Sequence, residues 1–338
     1  MSLVSRLIKA NPSIQVSDVL AGTFTLPSAK AAFVPPVSLS LFSGGYNAGV
    51  ATFVNVIDYI NIETLSNATD FGDLTVARGY AACCSSTTRL VQGGGFTGSD
   101  QSNVIDYITF ATTGNATDFG DLIAKRETGN GGGGNTTRGL FLGGDGGGYA
   151  SMETIQYVTI STTGNATDFG DLTVARHKVA SFSSPTRVFA TGGSTGGGTS
   201  ITNIIDYVTT ATTGNATDFG DMTITFDYGA GVSNSTRGIT AGGDLIVGSP
   251  SVSNTIAYIT MASAGNATDF GDLTLGRHSL ASGSSLTRGV FGGGYNSSNQ
   301  NTIDYITIDS VGNAIDFGDL TNSRWVLGGN SPTHGGLQ

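Results

Sequence analysis

The sequence Asn-Ala-Thr-Asp-Phe-Gly-Asp-Leu stands complete at Asn67, Asn115, Asn165 and Asn266, and near-complete at Asn215 and Asn313. Its phenylalanines fall at Phe71, Phe119, Phe169, Phe219, Phe270 and Phe317, in steps of 48, 50, 50, 51 and 47 residues. A step of that size and regularity requires a supersecondary unit that recurs and buries its apolar face on its neighbours. Six near-identical copies give a scaffold. Function belongs where they differ.

Composition decides what the unit is made of. The chain has 52 Gly in 338 residues, only 12% charged residues, and short runs rich in Thr, Val, Ile and aromatics. No long window carries the 3.6-residue period of an amphipathic helix, so the fold class is all-β. In the unit at the middle of the chain, strand a is read as 176–182, strand b as 187–191 closed by Gly192-Gly193, strand c as 203–210 and strand d as 216–222. Gly, Asn, Ser or Pro punctuates each. Four strands in about 50 residues make one blade of a β-propeller.

Strand b occurs six times, each followed by Gly-Gly, from Gly44-Gly45 to Gly292-Gly293. Strand a first appears at Arg78 and last at Arg324 to Asn330, so the repeat starts at a strand b and ends at a strand a. The expected architecture is a six-bladed propeller over residues 38–338, closed by the C-terminal strand a pairing with Ser38 to Ser43. Closure gives every blade a full set of four strands and leaves only short outer edges. Residues 1–37 lie outside the repeat and are expected to be an arm that docks on another protein or straps the ring; 2–10 suits a short helix ended by Asn11-Pro12.

These features resemble the kelch family of β-propellers. The likeness rests on the di-glycine after strand b, on Ile105-Asp106-Tyr107, Ile205-Asp206-Tyr207 and Ile303-Asp304-Tyr305 in strand c, and on the arginine opening strand a (Arg78, Arg126, Arg176, Arg277). The chain departs from kelch in carrying Phe in strand d where that family has Trp. The near-verbatim copies also look like kelch-like virion proteins of tailed phages, particularly those of marine bacteria and cyanobacteria. That resemblance implies a tail or tail-associated virion protein, made in the host cytoplasm.

Charge and targeting narrow the partners. A formal net charge of -10 opposes nucleic acid and anionic lipid, which reward clustered Lys and Arg. No secretory leader or membrane-inserting segment is legible. Cys83 and Cys84 are adjacent and read as small core residues.

Two motif sets invite chemistry. The repeated carboxylates, Asp118 with Asp121 and Asp168 with Asp171 among them, could offer oxygen ligands to Ca²⁺, but no EF-hand or nonapeptide spacing surrounds them. They are expected instead to receive the arginines that open strand b: Arg89, Arg138, Arg187, Arg237 and Arg288. The Asn-Ala-Thr triplets match the N-glycosylation sequon and read as turn chemistry.

Catalysis has little to stand on. His177, His278 and His334 lie in different repeats, and no nucleophile elbow, phosphate loop or zinc-type histidine pair is present. No metal, cofactor or catalytic residue is therefore assigned. The variable b-to-c loops remain, and four carry an aromatic just after the glycines: Tyr46, Phe96, Tyr149 and Tyr295. Gly, Ser and Asn around an aromatic is a binding-loop composition, although such aromatics also fold back over their hairpins. The expected function is non-enzymatic: a virion component whose arm contacts other virion proteins and whose loop face meets neighbours, or host surface glycan or protein. A cellular carbohydrate-binding or adhesion propeller is the alternative.

Overall fold

The computed structural model describes residues 38–148, 150–196, 200–245 and 251–337. The expected arm at 1–37 and the loop aromatic Tyr149 lie outside them. Residues Ser38–Gln338 form one compact unit of six four-stranded antiparallel sheets, in each of which strand order is a-b-c-d.

Strand a of blades 1 to 6 is Gly328–Asn330, Ala82–Ser85, Gly132–Gly134, Ala180–Ser183, Ala230–Ser233 and Ala281–Ser284. These innermost strands neighbour one another around the axis, blade 6 meeting blade 1. Strand b is Leu39–Ser43, Arg89–Gly93, Arg138–Asp145, Arg187–Thr191, Arg237–Ala241 and Arg288–Gly292. Strand c is Val56–Asn61, Val104–Thr109, Ser151–Thr159, Ile204–Thr209, Thr255–Thr260 and Thr302–Thr307. Strand d is Thr69–Asp73, Thr117–Asp121, Thr167–Asp171, Thr217–Asp221, Thr268–Asp272 and Ile315–Asp319.

Blade 1 takes strand a from the far end of the chain, with Leu41, Phe42 and Ser43 opposite Asn330, Gly329 and Gly328. The expected closure is thus present. Strand a is shorter than the sequence suggests: it starts at Ala180, not Arg176, because Lys178 takes a left-handed φ of 60° that breaks the ladder.

Six apolar clusters hold the ring, one at each junction between successive blades. The cluster between blades 6 and 1 packs Phe42, Ile60 and Ile62 on Val290, Ile303 and Phe317. Each buried Phe of this kind contributes about 1.5–3 kcal/mol, so Phe42 and Phe317 help to hold the closing junction.

The recurring octapeptide acts between blades. The strand d Phe sits at a register shift, as at Ile155/Gln156, which turns Phe169 inward onto Tyr157 at a ring separation of 5.8 Å. The asparagine reaches the preceding blade: Asn115 Oδ1 accepts from the Asp73 amide at 3.1 Å, Asn165 from Asp121 at 3.0 Å, and Asn67 from Asp319 at 3.1 Å across the closure. Asn215, Asn266 and Asn313 make the same bond. The glycine permits the approach, because a Cβ on Gly72 would overlap the Gly114 carbonyl.

Candidate functional site

The strand b arginines do not meet the strand d carboxylates, which corrects the expected pairing. Arg89, Arg138, Arg187, Arg237 and Arg288 lie over the strand c tyrosines of their own blades, at 4.5–4.9 Å from the ring centroids. Each also donates to a carbonyl beyond strand c of the next blade, as Arg187 does to Met261 at 3.0 Å and Arg288 to Ile62 at 3.1 Å. Asp118 and Asp168 stand exposed, and Asp121 and Asp171 are half-buried. The geometry explains the difference: Arg187 pairs in register with Thr209, two residues from Tyr207 and so on the same sheet face, while strand d turns its aspartates outward.

The buried ion pairs use the other arginine. Arg78–Asp106, Arg176–Asp206, Arg277–Asp304 and Arg324–Asp58 close at 2.6–2.8 Å with both side chains fully buried. In blade 3 the equivalent position is Gln156, whose Oε1 accepts from the Ile123 amide at 2.9 Å, and burial without a carboxylate pushes Arg126 down to about 10. In blade 5 Phe226 and Ala257 replace both members and share one apolar cluster. The arginine of a pair occurs only where the position opposite is Asp or Gln.

With the scaffold accounted for, variation concentrates on one face. There the b-to-c hairpin of each blade bridges the segment that enters strand a. The bridges are Tyr46–Trp325, Phe96–Gly79, Asp145–Glu127, Ser194–His177, Asp244–Asp227 and Tyr295–His278. The six equivalent positions thus divide around the mouth of the channel. Blades 6, 1 and 2 present aromatics; blades 3, 4 and 5 present polar and acidic groups.

On the aromatic side, Trp325 contacts Tyr46 at 6.2 Å, Tyr80 at 6.1 Å, His278 at 5.9 Å and Tyr295 at 5.4 Å. Phe53 extends the network to Tyr46 at 5.4 Å and to Phe96 at 5.7 Å. Tyr80 of blade 2 and Tyr228 of blade 5 meet at 5.9 Å. The rings of Tyr46, Phe53, Tyr80, Phe96, Tyr228, Tyr295 and Trp325 are half-buried. Three of the four loop aromatics, Tyr46, Phe96 and Tyr295, therefore converge on this surface.

The rings are held there by unusual backbone. Tyr80, Gly129, Lys178, Tyr228, Ser279 and Val326 all have left-handed φ, between 53° and 60°. Tyr80, Val326, Ser279 and Tyr228 each donate their amide to the next member, the run ending at the Lys178 carbonyl. A β-branched residue such as Val326 costs about 1–3 kcal/mol there, which the collar of hydrogen bonds offsets. Beneath it, Asn130 Nδ2 donates to the carbonyls of Gly229 at 2.9 Å and Leu280 at 2.7 Å, closing the axis.

The polar side has perturbed titrations. Burial and the neighbouring Asp145 push Glu127 up to about 7, and burial also raises Asp227. Burial holds His177 down at about 4 and lowers His278. Both histidines reach the same mouth, whereas His334 lies elsewhere, its Nδ1 accepting from the Gly336 amide at 3.1 Å. Lys178 Nζ stands 3.5 Å from the Asp227 carboxylate and 4.6 Å from the Tyr228 ring centroid. Among the described residues no group of three His, Cys, Asp or Glu is placed to hold a metal ion.

The hairpin half of this mouth is legible in the sequence, and the half that enters strand a is not. Gly79, Glu127, His177, Asp227, His278 and Trp325 all follow the strand a arginine or its Phe226 counterpart. In a frame of near-identical copies, five residue types across the six copies of one aligned position is the signal that would have found them. No known protein family matches this chain, and no curated protein is significantly similar to it.

Proposed function

We propose that the protein is a non-enzymatic recognition propeller, whose aromatic mouth contacts a glycan or protein on a host surface. In the setting that the likeness to tail-associated virion proteins implies, residues 1–37 attach it to the particle. The observation that carries this reading is the convergence of half-buried aromatics from separate blades onto one mouth, in a ring whose other repeated positions are nearly constant. Aromatic faces and edges with polar rims suit both sugar stacking and protein contact. The non-enzymatic part is supported by the state of the reactive groups: Cys83 is buried with its thiol pushed up to about 12, and His278 packs tilted against Tyr295 and edge-on to Trp325.

A glycan array probed with the wild-type chain and with Trp325→Ala and Tyr295→Ala tests the reading. The expected result is a defined set of bound glycans lost in both variants at unchanged melting temperature; an identical pattern in all three proteins would contradict it. Deleting residues 2–37 is expected to leave array binding intact while preventing entry into particles, which separates the virion setting from that of a cellular adhesion propeller.

A further inference from the structure

The end of the channel opposite the mouth is closed by the chain itself. Beyond strand a of blade 1, residues 331–337 leave the sheet, end in a 3-10 turn at Gly335–Leu337 and cross beneath the innermost strands. Ser331 Oγ and Thr333 Oγ1 donate to the Ser284 carbonyl of blade 6, and Ser85 Oγ of blade 2 donates to the Ser331 carbonyl at 2.7 Å. A Cβ on Gly335 would overlap the carbonyls of Asn234 in blade 5 and Ser183 in blade 4, and one on Gly336 the Gly134 carbonyl of blade 3. The segment therefore meets every other blade. Between it and Asn130 the channel keeps a cavity of about 30 Å³, lined with Ser181, Ser233 and Ser282.

Little besides backbone holds the segment there. None of residues 331–337 belongs to the six apolar clusters, and His334 is its one titratable side chain. The His334 ring is 6% exposed. Its Nδ1 accepts from the Gly336 amide at 3.1 Å, which leaves the proton on Nε2, 3.4 Å from the Ser85 carbonyl. A second proton would set N–H against N–H. No countercharge is at hand: strand a of each blade and the turn that follows it are without a charged residue. Cys83 and Cys84 of blade 2 are the only titratable groups on those strands, and burial pushes both thiols up. Burial holds His334 down at about 4.

We infer that residues 331–337 form an acid-released stopper: a proton taken up by His334 frees the segment and opens the channel from below, while Gly328–Asn330 stays paired with strand b of blade 1 and the ring stays closed. The seated ring takes its proton less readily than a free imidazole does. The seated form therefore loses stability as pH falls below 6.5 and has lost the full amount below about 4. What the mouth binds has no bearing on this.

Amide hydrogen exchange of the full chain, read by mass spectrometry between pH 7 and pH 4 and corrected for the intrinsic rate, tests this. Protection of residues 331–337 is expected to fall about twentyfold between pH 7 and pH 5, while Arg187–Thr191 of blade 4 keeps its protection. His334→Asn, whose amide oxygen can still accept from the Gly336 amide, should hold the protection constant over that range. His177→Asn and His278→Asn should each follow the wild-type profile, which assigns the change to His334 among the three histidines even where His334→Asn does not fold. Three results would each overturn the inference: wild-type protection at 331–337 that does not change between pH 7 and pH 5, an equal fall in a folded His334→Asn, or a fall shared by Arg187–Thr191.

Discussion

At the scale of single residues, Arg187 and Glu127 show how like positions in the repeat take unlike roles. Arg187 covers Tyr207 and caps a carbonyl of the next blade, so its worth is cation–π attraction plus hydrogen bonding. Arg187→Ala is expected to cost about 1–2 kcal/mol in urea denaturation, and Asp168→Asn or Asp171→Asn should stay within about 0.5 kcal/mol. An aspartate variant as damaging as the arginine variant would restore the ion pair that the repeat first suggests. Glu127 gives a pH signature. Its carboxyl titrates near 7 in the folded chain against 4.5 for the ordinary side chain, so the native state holds the extra proton. Its stabilising contribution is complete below pH 4.5 and is lost as pH rises through 7. Glu127→Gln should therefore match the wild type at low pH and exceed it above neutrality by about 1–2 kcal/mol, allowing for the solvent that reaches this group. A difference that does not change with pH would contradict the assignment.

At the scale of the element, the blade is a cassette with interchangeable inner fittings. Strand classes, di-glycine turns and the closing strand are legible in the sequence because turn residues and period-two alternation act locally and recur six times. What each conserved charge touches was not legible. The Asp of strand d, present in all six copies, is the partner that the repeat suggests, and the bulge at Phe169 is what fixes which face each side chain takes. The left-handed turn that shortens strand a at Lys178 was likewise hidden, since a lysine gives no hint of positive φ. The cassette idea has a direct check in blade 4. Asp206→Ala leaves Arg176 buried without its carboxylate and should cost about 3–5 kcal/mol. Adding Arg176→Phe copies the Phe226 and Ala257 arrangement of blade 5 and should recover most of that loss. A double variant less stable than the single one would show that the blades are not equivalent.

At the scale of the whole molecule, sixfold sameness and local difference have separate roles. The Asn clasps, the junction clusters and the terminal strand pairing build a closed ring from six like blades. Onto it the chain places an asymmetric mouth, aromatic through blades 6, 1 and 2 and acidic through blades 3 and 5. The central claim is that recognition belongs to this face and not to its opposite. Both native cysteines are buried, so an introduced cysteine can be modified selectively. Val50, in the hairpin of blade 1 beside Tyr46, is 62% exposed; Leu286, in the a-to-b turn of blade 6 on the opposite face, is 54% exposed. The decisive measurement attaches a bulky polymer to Val50→Cys or to Leu286→Cys and compares binding to the glycans that the unmodified chain captures. Loss of binding on modification at Val50, with binding intact on modification at Leu286, is the predicted result; binding that survives at Val50 and disappears at Leu286 would contradict the account.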